Sequence, residues 1–138
     1  VLKEAVAGRQ DVKWIYRHYP LSEIHPIANR AAQASECAAA QGQFWPFVDA
    51  VFERQSNMTE DTLTLAAGAS GLDRSAFAAC LASGAMKARV ESDANAFGEG
   101  HIAGTPTFFV NGSRVDGMLP LEELTKMLDA ARPQTGPH

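Results

Sequence analysis

The sequence predicts an α/β domain carrying a helical insertion and incomplete at its front. Three observations predict it. Alternating apolar chemistry is confined to Asp11–Tyr19 and to the stretch after Thr107. An alanine-rich block of helical periodicity fills the interval from His25 to about Gly100. Only a helix end and one strand precede Pro20, although a βαβ crossover takes roughly 30 residues.

Leu2, Ala5 and Val6 fall at helical spacing before Gly8, and no N-terminal cap precedes them, so the opening reads as the last turns of a helix. Val12, Trp14 and Tyr16 share one phase with Ile15 interleaved, which is strand chemistry, and Pro20 ends that strand because it cannot donate to a ladder. His25-Pro26 opens a first long helix through Ala28, Ala31, Ala32, Ser35 and Cys37, which stops at Gln41-Gly42. A second begins around Trp45-Pro46, with Phe47, Val48, Val51 and Phe52 recurring along it. Thr59, followed by Glu60 and Asp61, caps a third that closes at Gly71. Asp73 caps a fourth with Phe77, Cys80 and Leu81 inward, ending at Gly84, and Met86, Val90, Ala94 and Phe97 mark a fifth. Thr107–Val110 is a strand, Asn111-Gly112 a hairpin turn and Ser113–Gly117 the return strand. Pro120 opens a last helix with Leu121, Leu124, Met127 and Leu128 inward, and the tail from Arg132 to His138 has the composition of a frayed end. Trp14, Tyr16, Phe44, Trp45, Phe47 and Phe52 are expected in a core between sheet and helices.

The size fits one domain: 138 residues, 14.8 kDa. Lys and Arg number 12 against 16 Asp and Glu, a net charge of −4, and no basic stripe supports nucleic-acid binding. No apolar run reaches the ~20 residues of a membrane helix. The chain opens on Val1 without a charged-then-apolar leader, and is expected to be a processed or trimmed product. His18, His25 and His101 have no ligand spacing, so neither a metal nor any other cofactor is expected. His18 itself reads as a partly exposed polar residue. No nucleophile elbow, dinucleotide fingerprint or phosphate loop is present.

Gly104-Thr105-Pro106-Thr107-Phe108-Phe109 is the most telling segment. A proline directly before an apolar strand is where a cis bond would turn the chain into the sheet; an ordinary trans proline at a strand start is the alternative. With this segment as anchor, the chain resembles the DsbA branch of the thioredoxin-like thiol–disulfide oxidoreductases. The matching stretches run Tyr16–Leu21, Glu36–Trp45, Phe77–Gly84, Gly104–Gly112 and Leu119–Leu124, in the family's order and over nearly the whole chain.

The resemblance implies a thioredoxin-like fold with a DsbA-like α-helical insertion, N-terminally incomplete. Residues 1–21 and 101–132 would form the thioredoxin-like part, 22–100 the insertion and 133–138 a tail. It carries Thr105 and Pro106 over as the substrate-facing pair, against which an extended client polypeptide docks as an added strand. It does not carry over the family's Cys-x-x-Cys, because the chain has two cysteines, Cys37 and Cys80, in no such motif. The chain as it stands would therefore not perform dithiol exchange by the family mechanism. The family's first strand would lie before Val1, so the strand at Asp11–Tyr19 would lack its neighbour unless a longer molecule or another chain supplies it; a rearranged fold is the third alternative.

Partners implied are unfolded or cysteine-containing clients and a redox partner protein, in a bacterial periplasmic or extracytoplasmic compartment. Cys37 and Cys80 have two readings. One is a structural disulfide, worth roughly 4 kcal/mol for the span it closes and suited to oxidising surroundings. The other is a pair of buried thiols acting as small apolar residues. Two rival functions share the architecture: a glutathione-dependent isomerase of the kappa-transferase type, which uses serine in place of cysteine, and a non-catalytic module that docks extended peptides at Thr105-Pro106.

Overall fold

In a computed structural model the described residues are 2–20, 27–54, 56, 58–98 and 105–131. The predicted helix start at His25-Pro26, together with Leu21, His101, Gly104 and the tail, lies outside them. The elements in order are α1 (Leu2–Val6), α2 (Ala28–Ala39), α3 (Phe44–Phe52), α4 (Glu60–Ala69), α5 (Arg74–Ser83), α6 (Lys87–Gly98), β1 (Thr107–Val110), β2 (Ser113–Asp116) and α7 (Leu121–Ala130). They divide into two compact units, one of Val1–Tyr16 with Glu99–His138 and one of Arg17–Gly98.

In the first unit β1 and β2 form an antiparallel hairpin with Thr107 opposite Asp116 and Val110 opposite Ser113. The turn needs two consecutive left-handed residues, and Asn111 (φ 49°) and Gly112 (φ 87°) supply them at low cost. The Asn111 side-chain amide donates to the carbonyl of Ala131 (3.0 Å), which ties the turn to the end of α7. α1 packs on α7, burying Ala5 and Leu124. Arg9, just past α1, reaches Asp129 of α7 at 2.7 Å.

The strand expected over Asp11–Tyr19 does not form: residues 12–20 are irregular, and among the described residues the sheet has two strands. The alternation of Val12, Trp14 and Tyr16 is real, but alternation becomes a strand only through a ladder with a neighbour. Leu121 also departs from its expected inward position and is 39% exposed, because α7 buries chiefly Leu124.

Among the described residues the second unit has five helices, with α2 packed against each of α3, α4, α5 and α6. Its core joins Ala34, Cys37, Ala38, Phe47, Ala50, Leu63, Ala66, Phe77 and Leu81. Small alanines let the helix axes approach closely, and Phe47 and Phe77 fill the remaining space with ring centroids 5.5 Å apart. The helix ends follow the capping signals. Thr59 accepts from the Thr62 backbone N–H (3.4 Å), while its own N–H donates to Thr62 Oγ1 (3.0 Å). Asp73 Oδ1 accepts from the Ala76 N–H (3.0 Å), and Gly84 closes α5 in a left-handed conformation (φ 68°).

The aromatic core read from the sequence is mostly overturned. Phe47 is fully buried, whereas Tyr16 is 38%, Trp45 37% and Phe52 53% exposed, and Trp14 and Phe44 are half-buried. On the nine-residue helix α3 the buried stripe is Phe47, Val48, Ala50 and Val51, which turns Trp45 and Phe52 outward at a spacing of seven.

Candidate functional site

The residues singled out for client docking stand at the base of the hairpin. Thr105 and Pro106 are exposed, and the peptide bond between them is cis. The Pro106 carbonyl accepts from the Gly117 N–H (2.9 Å), one step beyond the Thr107–Asp116 pair, so the proline is held by the return strand. Arg114 and Asp116 pair through Nε and Oδ1 at 2.9 Å on β2, and Phe109 on β1 is half exposed (50%). The arrangement offers a fixed backbone turn beside a strand with apolar and charged side chains at hand. Among its described residues there is no cysteine.

Cys37 and Cys80 are joined, α2 to α5, with their Cα atoms 5.9 Å apart across a sequence separation of 43. Of the two readings, the bridge is the one the structure has. Cys37 is 1% exposed and lies among Ala34, Ala38, Phe47 and Leu81 in the core. Cys80 is partly buried against the same core, so the Cys37 sulfur is shielded from an incoming thiolate and the pair suits a structural brace.

One cluster escaped the sequence reading. His18, expected to be partly exposed, is 4% exposed. Its Nε2 lies 2.7 Å from Glu36 Oε1 of α2, and its backbone N–H donates to Asp93 Oδ2 of α6 (3.1 Å). Arg89 approaches the other Glu36 oxygen at 3.6 Å, and Arg17 approaches Asp93 at 3.4 Å. Phe44 meets the imidazole edge-on at 6.3 Å. These groups fasten the segment after Arg17 to α2 and α6 through charge-assisted contacts in a largely desolvated place. No periodicity announces such a cluster, since its members come from residues 17–18, 36 and 89–93. The nearest signal was the i, i+4 spacing of Arg89 and Asp93 on α6, which alone reads as a solvated face.

Although Tyr16 as a residue is 38% exposed, partial desolvation of its phenol raises it above its ordinary pKa of 10.0. Among the described residues no group of three His, Cys, Asp or Glu is arranged to hold a metal ion, and no helix is long and apolar enough to cross a membrane.

A family model described as thioredoxin matches residues 1–130, and the chain belongs to that family: a thioredoxin-like domain of mixed helices with a small two-stranded sheet. Similar curated proteins include "Na(+)/H(+) antiporter NhaA 3" of Salinispora tropica, 35% identical over 130 residues, which are 94% of this chain and 20% of that protein. "Na(+)/H(+) antiporter NhaA" of Herminiimonas arsenicoxydans is 44% identical over 123 residues, covering 88% of this chain and 19% of that protein. "Na(+)/H(+) antiporter NhaA 1" of Mycolicibacterium vanbaalenii is 36% identical over 124 residues, with 88% and 20% covered. The chain thus spans about a fifth of the length of these relatives.

Proposed function

We propose that the chain is the client-facing and helical portion of a DsbA-type thiol–disulfide exchange domain working within a longer polypeptide in an extracytoplasmic compartment. The observation that carries this reading is the thioredoxin family match over residues 1–130. In the proposed chemistry a thiolate of the domain attacks a client disulfide, the client S–S bond breaks, and the released client thiolate takes a proton. A second thiolate of the domain then displaces the client from the mixed disulfide, so the client is reduced by two electrons and the domain is oxidised; the reverse sequence oxidises the client. The pair Cys37–Cys80 is already joined, so a vicinal dithiol elsewhere in the longer polypeptide does this work. Thr105 and Pro106 present the turn against which the client strand lies, and the Cys37–Cys80 brace is in keeping with an oxidising compartment.

The relatives favour a second reading. Their printed name, and the fifth of their length that this chain spans, support a non-catalytic thioredoxin-like module attached to a sodium–proton antiporter.

One experiment separates the two. With oxidised glutathione as the terminal oxidant, the longer natural polypeptide and the 138-residue chain are each given a reduced two-cysteine peptide and the same peptide with both cysteines changed to serine. Catalysed oxidation of the dithiol peptide by the longer polypeptide, absent from the chain alone, is the result expected of the exchange domain. Saturable binding of the serine peptide without turnover by either form favours the module. The absence of both turnover and binding would refute client docking at Thr105-Pro106.

A further inference from the structure

Within the helical unit, α2, α4 and α5 enclose a half-open cleft of about 170 Å³. Its floor is apolar and buried: Ala67, Phe77 and Leu81 are 1%, 5% and 8% exposed. Its rim carries two guanidinium groups and the Thr64 hydroxyl. Arg30 is held in place, with Nε 2.9 Å from Glu60 Oε1 and Nη1 donating to the Leu81 carbonyl at 3.1 Å. Its charge is partly answered by Glu60.

Arg74 differs. Among the described residues its guanidinium makes no hydrogen bond or ion pair, and it lies over Gly68 of α4, where a Cβ would overlap its Nη2. The glycine thus leaves room for a cation at the mouth of an apolar cleft, in a chain whose net charge is −4.

We propose that this cleft is a binding site for a small monocarboxylate with a compact aromatic or branched aliphatic body. The carboxylate pairs with Arg74, with Arg30 as a secondary partner, and the apolar body rests on Phe77 and Leu81, while the Thr64 hydroxyl donates to the Glu60 carbonyl (3.3 Å) at the rim. Three features fix this class. The volume is close to that of a cavity of roughly 150 Å³ that accepts benzene. Apolar lining with a few convergent polar groups is the usual make-up of a small-molecule site. A planar guanidinium pairs with a carboxylate through two parallel hydrogen bonds. The inference stands apart from the exchange reading, because it uses no thiol and no residue of the hairpin.

The test is an amide chemical-shift titration of the ¹⁵N-labelled 138-residue chain with benzoate, with acetate and with benzyl alcohol. Benzoate is expected to give saturable shifts at Gly68, Ala78 and Ala82 with a dissociation constant of about 1 mM or tighter. Acetate has the charge without the body, and benzyl alcohol the body without the charge; each is expected to bind at least about fivefold more weakly. Arg74→Gln is expected to weaken benzoate about fivefold, and Gly68→Ala, which displaces the guanidinium while favouring the helix, to do the same with the fold kept. Non-saturable benzoate shifts, equal affinity for acetate, equal affinity for benzyl alcohol, or benzoate affinity unchanged in both variants would each overturn the proposal.

Discussion

The disulfide joining α2 to α5 makes a quantitative demand. Cys80→Ala removes the bridge and leaves the Cys37 thiol in an apolar core, where a free cysteine is tolerated. Cross-linking residues 43 apart lowers the entropy of the unfolded chain by about 13 cal/mol/K in the loop-closure model, or about 4 kcal/mol at 25 °C. With a urea slope of about 1–3 kcal/mol/M for a protein of this size, the midpoint is expected to fall by about 1.3–4 M. Trp45 on α3 reports on the helical unit, so a Trp14→Phe background lets fluorescence follow that unit. Reducing the parent protein with dithiothreitol should reproduce the shift of the variant, since both open the same loop. A shift under about 0.5 M in both, or two thiols titrating with Ellman's reagent in the native unreduced protein, would refute the reasoning.

Other outcomes are expected on the same grounds. Phe47→Ala empties the centre of the five-helix core, where the ring is 0% exposed, and is expected to cost about 3–5 kcal/mol by urea unfolding. Thr59→Ala removes the reciprocal cap at the start of α4 and is expected to cost about 1 kcal/mol, with Thr59→Asp recovering most of it. Glu36→Ala strips His18 of its carboxylate partner and Arg89 of its anion; hydrogen exchange near His18 is expected to speed up before exchange in α5 does. The Tyr16 phenol is expected to ionise, by absorbance at 295 nm, at higher pH than in the denatured protein. The folded state then holds a proton the unfolded state has lost, so stability falls as pH rises from about 10 toward the folded value.

What was legible in the sequence was whatever local chemistry decides. Helix ends at Thr59, Asp73 and Gly84, and the turn at Asn111-Gly112, follow from single residues whose side chains or φ angles permit one local solution, and the structure places them within a residue of expectation. What failed needed a partner. The alternation around Trp14 carries the composition of a strand, but hydrogen-bonding to a neighbouring strand is not a property of the segment. The outward positions of Trp45 and Phe52 follow from which face of α3 meets α2 and α4, and hydrophobicity does not choose between two apolar faces. The His18 cluster is the extreme case, assembled from three separated segments by pairing that sequence spacing cannot display.

The same distinction bears on what stabilises the helical unit. Five of its core positions are alanines, at 34, 38, 50, 66 and 67, and an alanine buries little more than a methyl group, worth about 0.8 kcal/mol. Phe47, Phe77, Leu63, Leu72, Leu81 and Val51 therefore carry most of the apolar gain, and a core with so many alanines has little surplus over the entropy of ordering its helices. The disulfide acts on the other side of that balance by restricting the unfolded chain. The His18, Glu36 and Asp93 contacts then decide which helices are held together and not how much surface is removed from water. A unit built this way depends on conditions that keep the bridge closed. In a reducing compartment the loss of about 4 kcal/mol would take a large part of the 5–15 kcal/mol typical of a folded domain, and that dependence ties the alanine-rich core to the oxidising location proposed for the chain.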